Sequence, residues 1–143
     1  DAAIRLYKPE QPDLIQRQIT TLHFHICASK SYFAKHGKPD TVADLRNHTL
    51  IGFPDNVPAP FSDPNWLFRL ADVHANDTHN PNLLMMNSMY AIQRAVESGA
   101  GIAALPHYMI QNNTNLEIIL PESGRPGIDV YFVYPEERRN SKR

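Results

Sequence analysis

The sequence predicts an α/β fold, and three observations carry that expectation. Short runs rich in Ile, Leu, Val and Phe alternate along the chain with helix-spaced segments. One of those segments, SMYAIQRAVESGAG, keeps a 3.6-residue apolar period between two strand-like runs. The composition, 42% apolar and 20% charged over 143 residues, is that of a packed domain rather than a disordered chain. A chain of this length buries roughly 68% of its unfolded surface and needs no covalent staple. The net charge of −1 leaves no basic excess to hold nucleic acid, so DNA binding would have to come from outside this chain. The lone Cys27 excludes an internal disulfide and fits a reducing compartment. No apolar run approaches the roughly 18 residues of a membrane helix, and no basic-then-apolar leader opens the chain. Both ends are abrupt, an apolar run at Ala2–Ile4 and a basic run from Arg138 to Arg143, so we expect a fragment of something longer.

The elements follow in order. DAAIRL reads as a short strand, and Pro9 and Pro12 break the chain after it. Leu14 to Cys27 reads as extended, with Leu22, Phe24 and Ile26 on one face and His23, His25 and Cys27 on the other. Ser29 has the form of a helix N-cap, and SKSYFAKH ends at Gly37, a fitting C′ residue. Thr41 with Asp44 three residues on approximates a capping box. Thr49 to Phe53 is a short buried strand. The Pro-rich loop from Pro54 to Pro64 has the length of a functional or mobile loop. NWLFRLADVHAN reads as strand, turn and strand, with Trp66 in the core, and NDTHNPN as a second loop before the apolar run LLMM. Ser88 caps the periodic helix, whose stripe is Met89, Ile92, Ala95 and Val96 and which Gly99 and Gly101 end. IAALP is a buried strand, and Pro106 can open the helix PHYMIQN. LEIIL and DVYFVYP are two more strands, parted by the turn ESGRPG.

Candidate chemistry is sparse. Along one strand His23 and Cys27 stand about 13 Å apart, so H-x-H-x-C cannot close round one ion, and a His pair would need a distant third ligand. We expect no metal. Cys27 lies in an apolar strand and not at a helix N-terminus, where thiol pKa values fall, so an inert buried thiol is expected and no catalytic residue is assigned. There is no G-x-S-x-G, P-loop or G-x-G-x-x-G, and the glycines of S-G-A-G follow a helix where a phosphate cradle needs them before one. What remains is the pair of helix starts at Ser29 and Ser88, each offering a hydroxyl and free N–H groups to a polar ligand, or simply capping its helix.

Several stretches, taken in order, carry a resemblance: D-A-A-I-R with its following turn, the strand ending C-A-S before S-Y-F-A-K-H-G, T-V-A-D-L-R-N-H-T-L-I-G-F, N-S-x-x-A-I-Q-R-A-V-E-S-G-A-G-I-A-A-L-P, and V-Y-F-V-Y-P-E-E-R-R-N-S-K-R. This set resembles the effector-binding domain of LysR-type transcriptional regulators, truncated at both ends. The resemblance implies a type 2 periplasmic-binding-protein-like fold, two α/β lobes joined by two crossover strands with a small-molecule effector in the cleft. It places a partial first lobe at 1–28 and 121–143, the second lobe at 29–120, and the crossovers at His23–Cys27 and DVYFVYP. It implies effector contacts from Arg5, Ser29, Phe53, Asn87 and Ser88, with Arg5 pairing an anionic group and the serines donating hydrogen bonds. It also implies a cytoplasmic protein that is not an enzyme, needs no cofactor, forms a homodimer or homotetramer, touches no membrane, and meets DNA through a winged helix-turn-helix outside this chain. The incomplete lobe should leave apolar surface open. The rival reading is a solute-binding protein of transport with the same fold. A small hydrolase stands third, for want of an activated nucleophile.

Overall fold

The computed structural model describes residues 2–8, 10–59, 61–75 and 82–136. The loop NDTHNPN, apart from Asn82, and the basic run 138–143 lie outside them. Two sheets organise the chain. The first contains β1 (Ala3–Arg5), β2 (Leu14–Leu22) and β8 (Ile128–Pro135), with β8 in the middle and both neighbours antiparallel to it. The second has β3 (Phe24–Ser29) between β6 (Ala103–Pro106) and β7 (Leu116–Ile119), again antiparallel. A parallel pair, β4 (Leu50–Gly52) and β5 (Leu83–Met85), joins the second sheet through a parallel bridge from Leu50 to Ile102.

The extended run from Leu14 is therefore two strands. Leu22 still faces Ile128 of the first sheet, while Phe24 already faces Pro106 of the second. The chain changes sheets at His23, not after residue 28. Apolar alternation continues through the break, because each half has its own core to face. The expected return crossover, β8, is the centre of the first sheet along its whole length. On this sheet Ile4 and Phe132 are cross-strand partners and are 69% and 38% exposed; Ile19, at a bulge in β2, is also exposed. The first sheet thus keeps open apolar surface.

The helices form where their caps and stripes lie. In α1 (Lys30–His36) the Ser29 hydroxyl accepts the Tyr32 N–H at 3.1 Å, and Gly37, at φ 81°, ends the helix in a conformation that suits glycine. After it a 3₁₀ turn, Val42–Asn47, is held by the Asp44 carboxylate, which accepts from the Thr41 N–H and hydroxyl, both at 2.8 Å. α3 (Met89–Glu97) buries Ile92, Ala95 and Val96 against β3, β4 and β6, as its period predicts. Each fully buried Ile or Val there contributes about 1.5–3 kcal/mol. The short α4 (His107–Ile110) follows Pro106 directly.

One element corrects the sequence reading. NWLFRLADVHAN is not strand, turn and strand: Trp66–Leu70 form a five-residue helix, α2, packed on β4. Trp66, Leu67 and Phe68 are all buried, which no half-exposed strand permits. Trp66 is core, as expected.

Candidate functional site

Strand direction decides where a ligand can be read. β4 and β5 run parallel, the bridge from Leu50 to Ile102 makes β6 parallel to them, and β7 follows because β3 opposes both β6 and β7. The carboxyl ends of β4, β5, β6 and β7 therefore share one edge, together with the amino end of β3. In open α/β sheets that edge is where ligands bind. Here it also receives the crossing at His23.

Three of the five expected contacts stand on this edge. Phe53 directly follows β4 and is buried; its ring meets that of Phe61 edge to face at 6.3 Å. Asn87 and Ser88 follow β5 and are exposed, and the Ser88 hydroxyl accepts the Ala91 N–H at 3.1 Å as the cap of α3. Ser29 is elsewhere. It closes β3 opposite Leu116, the first residue of β7, at the other end of the sheet. It lies five residue steps along the strand from Phe24, roughly 16 Å. It is 2% exposed, and its hydroxyl caps α1 and lies 2.9 Å from the Ser31 hydroxyl. Arg5 ends β1 on the other sheet, opposite Tyr131. It is half-buried, donates a hydrogen bond to the Tyr7 hydroxyl and lies over the Tyr7 ring, 5.4 Å from its centroid.

The edge holds His23 and His25, weighed above only as metal ligands, and brings to them His107, Glu122 and Arg125, which the sequence did not single out. An open groove of about 490 Å³ is lined by His23, His25, His107, Glu122 and Arg125 beside Phe24. His107 meets His25 across the β3–β6 junction: His107 Nδ1 lies 3.2 Å from His25 Nε2, and the rings are edge to face with centroids 5.2 Å apart. The His107 N–H donates to the His23 carbonyl at 2.8 Å, tying the sheet crossing to α4. Partial burial, then the His107 and His23 rings, hold the His25 imidazole below its ordinary pKa. Arg125 donates from Nη1 to the carbonyls of Ser62 and Asp63 at 3.1 and 3.0 Å, with its guanidinium 6.0 Å from the Phe61 centroid. Phe61 in turn packs on Phe24 at 5.1 Å, so this part of the Pro-rich loop roofs this end of the sheet. The signal for these residues is tertiary. His25 and His107 are 82 positions apart and meet only through the β3–β6 register.

The groove has neither an activated nucleophile nor a closed metal cage. Among the described residues no three His, Cys, Asp or Glu side chains converge as metal ligands. Cys27 is wholly buried, and burial pushes its thiol up to about 12, so it is no nucleophile at neutral pH. What the edge offers is polar and cationic recognition at a sheet crossing.

Comparison with known proteins agrees with this geometry. The family described as the LysR substrate binding domain matches residues 1–143. A probable HTH-type transcriptional regulator, SinR of Salmonella typhimurium, is 32% identical over 130 residues, covering 87% of this chain and 40% of that protein. The HTH-type transcriptional activator AaeR of Escherichia coli is 29% identical over 143 residues, covering 96% of this chain and 44% of that protein. The chain thus spans less than half the length of these relatives. Among solved structures, the regulatory domain of CrgA, a LysR-type transcriptional regulator from Neisseria meningitidis, superposes with a TM-score of 0.73 at 22% identity, covering 96% of this chain and 67% of that one. The regulatory domain of AphB in Vibrio vulnificus gives 0.68 at 20% identity, covering 94% and 66%.

Proposed function

Because the chain belongs to the LysR substrate-binding-domain family, we propose that it senses a small-molecule effector for a bacterial transcription regulator, at the edge that carries Phe53, Asn87 and Ser88. Its fold is the type 2 periplasmic-binding-protein-like fold of that family. The observation that carries the proposal is the clustering of these three residues at the shared carboxyl ends of β4 and β5, next to the crossing between sheets. An effector bound there touches the joint about which the two sheets move, and so favours one arrangement over another.

In this reading the β1–β8–β2 sheet is the part of the first lobe present in this chain, and the second sheet with its helices is the second lobe. Arg5 faces the effector from the first lobe only after turning away from Tyr7. Ser29 is left to its cap. The complete protein is cytoplasmic, binds DNA through a winged helix-turn-helix outside this chain and works as a homodimer or homotetramer. It is a regulator and not an enzyme. The relatives' names favour this over a transport protein of the same fold. Among the described residues no helix is long and apolar enough to cross a membrane.

The test is a mobility-shift assay with the full-length protein on the DNA flanking its own gene, combined with a thermal-shift screen of metabolites. Specific, effector-sensitive binding is expected. An effector at a hundredfold excess over Kd adds about 2.7 kcal/mol of stability. Absence of any specific operator binding would overturn the reading.

A further inference from the structure

We propose that the groove beside the crossing receives a carboxylate of the effector, held between Arg125 and the His25–His107 pair, and that binding brings one proton onto that pair. The inference rests on the effector-domain reading and adds the chemical class of the ligand and its coupling to pH.

Arg125 supplies a fixed charge. Its Nη1 donates to the Ser62 and Asp63 carbonyls at 3.1 and 3.0 Å and its Nε to the Pro126 carbonyl at 3.3 Å, all neutral acceptors. The nearby Asp63 carboxylate is already taken by Arg69 through two bonds of 2.6 and 2.7 Å. Among the described residues Arg125 forms no ion pair. It is aimed by the backbone and keeps its positive charge for something else.

The histidine pair supplies an adjustable charge. A contact of 3.2 Å between His25 Nε2 and His107 Nδ1 needs one hydrogen between them. Two neutral rings meet that need with a single N–H···N bond. One further proton still leaves a donor facing an acceptor, but a second would set two N–H groups against each other. While the contact holds, the pair carries no more than one positive charge. His23 and Glu122, both exposed, are the other titratable groups that line the groove. Glu122 offsets Arg125. Each proton the pair takes up therefore adds one positive charge to the groove, which suits one carboxylate. Partial burial and the neighbouring rings disfavour the charged form of His25, and a carboxylate beside the pair favours it, so ligand and proton arrive together.

Proton uptake makes affinity rise as pH falls, by up to about tenfold per pH unit. The experiment is isothermal titration of the full-length protein with sodium benzoate and sodium acetate. It is run at pH 7 in two buffers of different ionisation enthalpy, with sodium chloride at equal ionic strength as control. The expected result is carboxylate binding with uptake approaching one proton. In His25→Gln and His107→Gln the uptake disappears, and in Arg125→Gln affinity drops by about tenfold, the loss of one charge-assisted bond. All three side chains lie at the surface of the groove, and thermal unfolding checks that the variants fold. The proposal is overturned if neither carboxylate binds beyond the chloride control, if the parent takes up no proton, or if uptake survives in both histidine variants. Carboxylate binding lost in Ser88→Ala but intact in Arg125→Gln would overturn it too, while leaving the effector-domain reading in place. That reading fails separately, by absence of operator binding.

Discussion

The Asn65 side chain holds the backbone of Phe53 from both sides: the Phe53 N–H donates to Oδ1 at 2.9 Å, and Nδ2 donates to the Phe53 carbonyl at 2.7 Å. β4 ends at Gly52, so this amide stands in for a strand partner that Phe53 lacks. It fixes the carboxyl end of the strand to the start of α2. Asn65→Ala leaves both backbone groups without their partner and should cost about 2 kcal/mol in urea unfolding. A loss below about 0.5 kcal/mol would show that water replaces the amide freely.

Gly52 sits under the same clamp. A Cβ there would lie 2.6 Å from Asn65 Oδ1, 2.6 Å from Phe68 Cζ and 3.0 Å from Phe68 Cε2. Gly52→Ala should therefore push α2 away from β4 and destabilise by about 1–3 kcal/mol. It should also weaken effector binding, because Phe53 moves with the clamp. Unchanged stability and affinity would mean that α2 yields without cost.

The two serine caps should separate. Ser29→Ala and Ser88→Ala each remove an N-cap and should cost about 0.5–2 kcal/mol of stability. Effector affinity should fall in Ser88→Ala alone, since Ser29 is at the far end of the sheet. Equal affinity losses in both variants would place the ligand at Ser29.

Histidine burial gives a pH dependence with a defined sign. His25 is held below its ordinary value by burial and by the His107 and His23 rings, and His48 by burial and His36 against the opposing pull of Asp44. A depressed base binds fewer protons folded than unfolded. Its stabilising share is present above the unfolded value near 6.5 and is lost as pH falls through the folded value. Chemical unfolding of the ligand-free protein should show stability declining below about pH 6.5, with a shallower decline in a His25→Gln, His48→Gln double variant. Identical slopes would remove these two residues as the cause. Cys27 acts at the other end of the scale. Its raised thiol costs nothing below the unfolded value and destabilises the fold as pH climbs towards about 12, a loss that Cys27→Ala should reduce.

The helices with caps were legible in sequence because their signals are local. Ser29, Gly37, Ser88 and Gly99 bound α1 and α3, and the apolar stripe of α3 spans two full turns. α2 was not legible. Five residues show no helical period, Trp and Phe favour strands, and the helix is held by partners outside it: Asn65 on Phe53, and the Asp63–Arg69 ion pair. The break at His23 is hidden because apolar alternation runs straight through it. Of the candidate edge, only part was legible. Phe53, Asn87 and Ser88 could be placed after strands, but which strand ends share an edge depends on β3 running against its neighbours, and that direction displaces Ser29. The groove groups His25, His107 and Arg125 come from segments far apart in sequence, and no local pattern joins them.

Hydrogen exchange on the full-length protein, with and without a saturating effector, tests the placement of the site most directly. Protection is expected at Phe53, at Asn87 to Ala91 and across the groove from Pro121 to Arg125, with none at Ser29 to Phe33. Protection confined to the Ser29 end of the sheet would contradict the reading of the ligand at the shared carboxyl ends of β4, β5, β6 and β7.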